Sequence, residues 1–130
     1  MLRRAERRAP SASFQRDDVL NAAREADVNF DHIVLGFLLH ELDQATRIEL
    51  LKLARARTIE GGSIAILEWA NPTGRIASRV WRTVVRAIEP AIALDVLDGA
   101  VVAAIDAAGL KIFSSAATAN GRAQIIVAVR

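Results

Sequence analysis

The stretch from Ile33 to Leu39 reads IVLGFLL, apolar from end to end, and stops on His40-Glu41. A run of this length with Ile33 and Val34 inside it has the pattern of a strand buried on both faces, as in a parallel sheet. The expected strand covers residues 30–39. The residues that follow define its connection. Asp43 is placed to cap a helix over residues 44–57, where Ile48, Leu51 and Ala54 recur at helical spacing and Leu50 and Leu53 widen the stripe. Gly61-Gly62 closes that unit, and residues 63–69, SIAILEW, read as a second buried strand. Strand, helix and strand in this order make a βαβ unit, whose crossover should be right-handed.

The rest of the chain fits around that unit. Residues 1–9 are compatible with a helix that ends at Pro10, residues 13–16 with a short strand, and residues 17–27 with a loop or short helix. Residues 73–89 predict a helix with Arg75, Arg79, Arg82 and Arg86 on one face and Ile76, Val80, Trp81, Val84 and Ile88 opposite. Asp98 is placed to cap a further helix through residue 108, which Gly109 closes. Residues 110–118 and 123–129 read as strands joined through Asn120-Gly121, a strong hairpin signal, so this last pair should be antiparallel. The expected fold class is α/β, a mostly parallel sheet with a C-terminal antiparallel hairpin strand, in a single domain over residues 1–130. Ligands in such sheets bind beyond the carboxyl ends of the strands, here near Asp17-Asp18, Gly36-Phe37 and Glu68-Trp69.

Composition excludes several functions. With 52% apolar residues among 130, the chain carries enough hydrophobic material for one core. It has no cysteine, so neither disulfides nor thiolate metal sites can form, and two histidines give no basis for a His-based metal set; none is expected. A zinc-protease reading of HELDQ fails because Gln44 stands where the second histidine would be needed. A formal charge of +2 gives no nucleic-acid signature. The longest apolar candidate for a membrane span, residues 90–109, is interrupted by Asp95, Asp98 and Asp106. The arginine-rich start has no apolar region behind it, so a secretory signal is not expected and a cytoplasmic location is.

Taken in order, Phe30-Asp31 opening a strand, the run to LLHEL, IEGGSIAILEWANP and a closing AAGL-hairpin resemble the C-terminal half of a class I S-adenosylmethionine-dependent methyltransferase. The ubiquinone/menaquinone-biosynthesis type is the nearest in flavour, because its L-E-F-x-x-P stretch is similar to Leu67-Glu68-Trp69-Ala70-Asn71-Pro72. The resemblance implies an incomplete Rossmann-like sheet, S-adenosyl-L-methionine as cofactor and a small-molecule methyl acceptor. It makes FQRDD the family's third strand, with Asp18, or else Asp17, at the adenine and Val19 beside it. Gly36 and Phe37 would then lie at the cofactor, and His40, Glu41 and Trp69 on the substrate side, with no catalytic residue assigned.

The sequence also departs from the family. Its glycines are Gly36, Gly61, Gly62, Gly74, Gly99, Gly109 and Gly121, so no G-x-G loop is present. The resemblance therefore leads us to expect a domain that lacks the glycine-loop strand and the second strand, truncated or one half of a split enzyme. As an isolated chain it should be impaired in methyl transfer and bind the cofactor weakly. A separate N-terminal half or a homo-oligomer is the expected partner. The competing expectation is a non-catalytic remnant that serves as an interaction or dimerisation module. Contact of the arginine face with nucleic acid or an anionic membrane is a third.

Residue by residue, more ordinary roles stand beside these. His40-Glu41 can be a polar strand-to-helix transition, preferred here over direct acid/base work. Asp17-Asp18 can cap a helix, and Gly36 can be a packing glycine. Glu68 is expected to pair with an arginine, and the arginine face is expected to be solvated.

Overall fold

The computed structural model describes residues 2–89 and 93–130. Helices α1 (Leu2–Arg8) and α2 (Val19–Glu25) precede strand β1 (Phe30–Gly36). A 3-10 turn at Leu39–Glu41 leads into α3 (Gln44–Arg57) and β2 (Thr58–Trp69). Then follow α4 (Arg75–Ile88), α5 (Ala93–Val96), α6 (Ala100–Ala107), β3 (Lys111–Thr118) and β4 (Ala123–Val129). The sheet order is β1-β2-β4-β3, with β1 and β2 parallel and β4 antiparallel to both of its neighbours. Three strands thus share one direction and β4 opposes them, the mixed α/β sheet that the sequence predicts.

Several elements start for the predicted reason. Asp43 accepts a hydrogen bond from the Thr46 backbone N–H at 2.8 Å and caps α3. That bond, and a second from the Thr46 hydroxyl, hold its carboxyl below the usual carboxylate range. Asn120 (φ 56°) and Gly121 (φ 79°) turn the β3–β4 hairpin through left-handed backbone. Other expectations are corrected. Residues 13–16 form no strand; β1 pairs only with β2, and residues 13–16 do not join its other edge. Helix α6 is capped by Gly99 (φ 94°) and not by Asp98, whose carboxylate instead takes a two-pronged contact from Arg82. Those hydrogen bonds hold the Asp98 carboxyl low.

Gly61-Gly62 lies inside β2 and does not close the unit before it. Between Phe30 and His32 the pairing partner jumps from Thr58 to Ser63, so β2 bulges at the two glycines. Gly61 has φ 80°, and a Cβ on Gly62 would run into the Asp31 carbonyl oxygen and the Thr58 methyl. Gly62→Ala is therefore expected to cost about 2–3 kcal/mol in urea denaturation, since backbone on the neighbouring strand cannot yield as a side chain can. A loss below the error of that measurement would show that the bulge relaxes freely.

The core lies on one face of the sheet. Leu35, Ile64, Ile66, Ile126 and Ala128 bury against Leu50, Leu51 and Ala54 of α3 and Val101, Ala104 and Ile105 of α6. The other face stays open: Val34 is 71% exposed and Ile125 42%. The first strand is therefore buried on one side only, because no helical layer covers the second face among the described residues. Helix α4 departs from expectation in a related way. It packs through Val85 and Trp81, and its apolar row of Ile76, Val80 and Ile88 is exposed. No helix of the described residues is long and apolar enough to cross a membrane.

Candidate active site at the carboxyl ends of β1 and β2

At the end of β1 the chain turns sharply. Phe37 adopts φ 49°, a left-handed conformation that costs a non-glycine residue about 1 kcal/mol or more. Its N–H still reaches the Leu67 carbonyl at 2.8 Å, and its ring rests against Trp69 with centroids 4.7 Å apart. Trp69 in turn meets Trp81 edge-on at 5.6 Å. A Cβ added to Gly36 would meet nothing within 4 Å, so Gly36 faces open space and the packing role does not apply.

The 3-10 turn then places His40 over the end of β2, where it is 4% exposed. Glu68, fully buried, receives its ring: His40 Nδ1 lies 2.7 Å from Glu68 Oε1. The backbone N–H of His40 donates to Glu68 Oε2 at 3.2 Å and that of Trp69 to Oε1 at 2.9 Å. Glu68 thus pairs with a histidine, correcting the expected arginine. With Glu68 as the carboxylate, which only accepts, the imidazole donates to it through Nδ1. Its Nε2 is the ring atom left over, 3.4 Å from Glu41 Oε1 and 3.5 Å from Glu89 Oε2. The buried Arg47 braces this turn from behind, its Nε donating to the Leu39 carbonyl at 2.6 Å.

Of the residues singled out in the sequence, the structure gathers Gly36, Phe37, His40, Glu41 and Trp69 at this end of the sheet. Asp17 and Asp18 have local partners instead. Asp18 caps α2 through Leu20 N and Asn21 N, and Asp17 takes hydrogen bonds from Gln15 and from the Asp18 N–H. Val19 lines an apolar pocket of about 300 Å³ with Phe30, His32 and Leu53, which includes none of the His40 site residues. Sequence reasoning missed Glu68 as the partner of His40, and it missed Glu89 altogether. A carboxylate inside an apolar strand was a visible signal for the first. Nothing in the sequence marks the second.

No family model matches this sequence, and no curated protein does. Solved structures do match, and they define a fold: that of methyltransferases. Mitomycin 7-O-methyltransferase MmcR aligns with 99% of this chain at 14% identity and a TM-score of 0.69, over 37% of its own length. CalO1, a methyltransferase of calicheamicin biosynthesis in its SAH-bound form, aligns with 90% at 21% identity and 0.63, over 34% of its length. An O-methyltransferase family protein from Burkholderia thailandensis aligns with 98% at 16% identity and 0.65, over 38% of its length. The chain therefore spans well under half of each. None of the three bears the ubiquinone/menaquinone description that the LEWANP stretch suggested.

Proposed function

We propose that this chain forms the acceptor side of an S-adenosylmethionine-dependent methyltransferase acting on a small-molecule hydroxyl, with His40 as general base and Glu68 orienting it. The observation that carries the reading is the buried His40–Glu68 pair at the carboxyl ends of two parallel strands. This is where an α/β sheet binds its ligands. The acceptor hydroxyl would donate to Nε2. Its oxygen attacks the methyl carbon as the carbon–sulfur bond breaks, and its proton passes to Nε2, while Glu68 stabilises the imidazolium that results. The cofactor supplies the electrophilic methyl group on a sulfonium.

On this side of the site the residues fit such a ligand: Gly36 opens onto free space and Phe37 and Trp69 supply apolar walls that exclude water. Asp17, Asp18 and Val19 keep their proposed place at the adenine, and Glu41 sits beside the acceptor. No G-x-G loop is present to cradle the methionine end. In the domain we propose, the strands that carry such a loop pair with the free edge of β1, and helices cover the open face at Val34, whether from the same polypeptide or another.

Titration of S-adenosylhomocysteine into the isotope-labelled chain, followed by amide NMR, tests the cofactor side. Weak binding with shifts at Gly36, Phe37 and Trp69 is the expected result. Shifts that spare these amides at millimolar ligand would sink the reading.

A further inference from the structure

We propose that His40, Glu41 and Glu89 form a divalent-cation site. Among the described residues, their ligand atoms converge, all lying within 4.8 Å of one another. The 3-10 turn supplies His40 and Glu41, and Glu89 arrives from the C-cap of α4. His40 turns Nδ1 to Glu68 and Nε2 toward the two other carboxylates. An imidazole nitrogen and two carboxylates thus converge on one point, a donor set that a cation completes.

Nε2 lies 3.4 Å from Glu41 Oε1 and 3.5 Å from Glu89 Oε2. Those two separations are close to the edge of a tetrahedron around a zinc-sized ion, about 3.4 Å for ligand bonds near 2.0–2.1 Å. Glu68 stands where metal-binding histidines carry an outer carboxylate, which fixes the tautomer and makes the free nitrogen more basic. Exposure grades across the cluster, from 5% for the His40 side chain through 17% for Glu89 to 52% for Glu41. An ion held there has protein on one side and open positions on the other. One imidazole nitrogen with two carboxylate oxygens suits Zn²⁺, Co²⁺ or Mn²⁺. The expectation of no metal site rested on the histidine count, and this donor set needs only one histidine.

The site shares Nε2 with the methyl-transfer reading, so an ion and an acceptor hydroxyl would compete there, but its test needs only this chain and no cofactor. The test is calorimetric titration of zinc chloride into the 130-residue chain, with the visible spectrum of bound cobalt reporting geometry. One ion per chain is expected. Glu41→Gln and Glu89→Gln should each weaken binding about tenfold or more. Glu41 is half exposed, so its variant keeps the fold and separates ligation from stability. His32→Ala removes the other histidine, exposed on β1, and should leave the affinity unchanged. Absence of binding at millimolar zinc, or binding that survives both glutamate substitutions and disappears with His32→Ala, overturns the proposal.

Discussion

Arg47→Met is expected to destabilise the chain by about 3 kcal/mol in urea denaturation, a large share of the total for a domain of this size. Arg47 is fully buried. Its guanidinium grips Asp95 with two bonds of 2.9 Å, donates to Gln44 Oε1 at 3.1 Å and donates through Nε to the Leu39 carbonyl at 2.6 Å. Methionine replaces the stem and none of the donors. The Leu39 carbonyl then keeps only the Leu42 N–H at 3.2 Å, and loss of its charged donor costs about 1–3 kcal/mol, while the half-exposed Asp95 recovers part of its loss from water. Arg47→Lys keeps the charge without the fork and should lose less, about 1–2 kcal/mol. Because Leu39 precedes His40, the same substitution should speed amide exchange through the 3-10 turn. A variant as stable as the parent would mean that α5 and this turn are held by other contacts.

Glu68→Leu should be at least as damaging, about 3–5 kcal/mol. Leucine fits the volume but accepts nothing. It leaves the imidazole Nδ1–H and the backbone N–H groups of His40 and Trp69 without their acceptor. Glu68→Gln retains a carbonyl oxygen and should lose less than half as much, which separates the hydrogen bonds from simple packing. Equal losses for Leu and Gln in chemical denaturation would contradict the assignment of Glu68 as the acceptor that organises this turn. The functional consequence is local: with Glu68 gone, nothing fixes which ring nitrogen of His40 faces Glu41 and Glu89.

Much of this architecture was legible in local pattern. The apolar run at Ile33, the cap at Asp43, the stripe of Ile48, Leu51 and Ala54, and the Asn120-Gly121 turn each report a short-range physical rule, and each marks an element that forms, although the first strand ends at Gly36 and not at residue 39. The misreadings occur where the rule depends on a neighbour. Residues 13–16 have the composition of a strand and pair with none. Asp98 has the chemistry of a cap, but Arg82 outcompetes the helix for it. On α4 the expected apolar face included Trp81 and left out Val85. The helix packs through these two, while Ile76, Val80 and Ile88 of that face stay exposed, so which residues meet the core could not be read.

The candidate site divides the same way. Sequence by itself determined that a histidine and a glutamate follow an apolar strand, that a carboxylate closes the next parallel strand, and that G-x-G is absent, because these are matters of order along the chain. Only the tertiary structure decided that Glu68 faces His40, that Arg47 holds the turn between them, and that Glu89 joins Glu41 at the remaining nitrogen. Hydrogen bonds and ligand sets depend on separations of a few ångströms between residues far apart in the chain. The alignment of β1 with β2 and the path of α4 set those separations, and no local pattern encodes either.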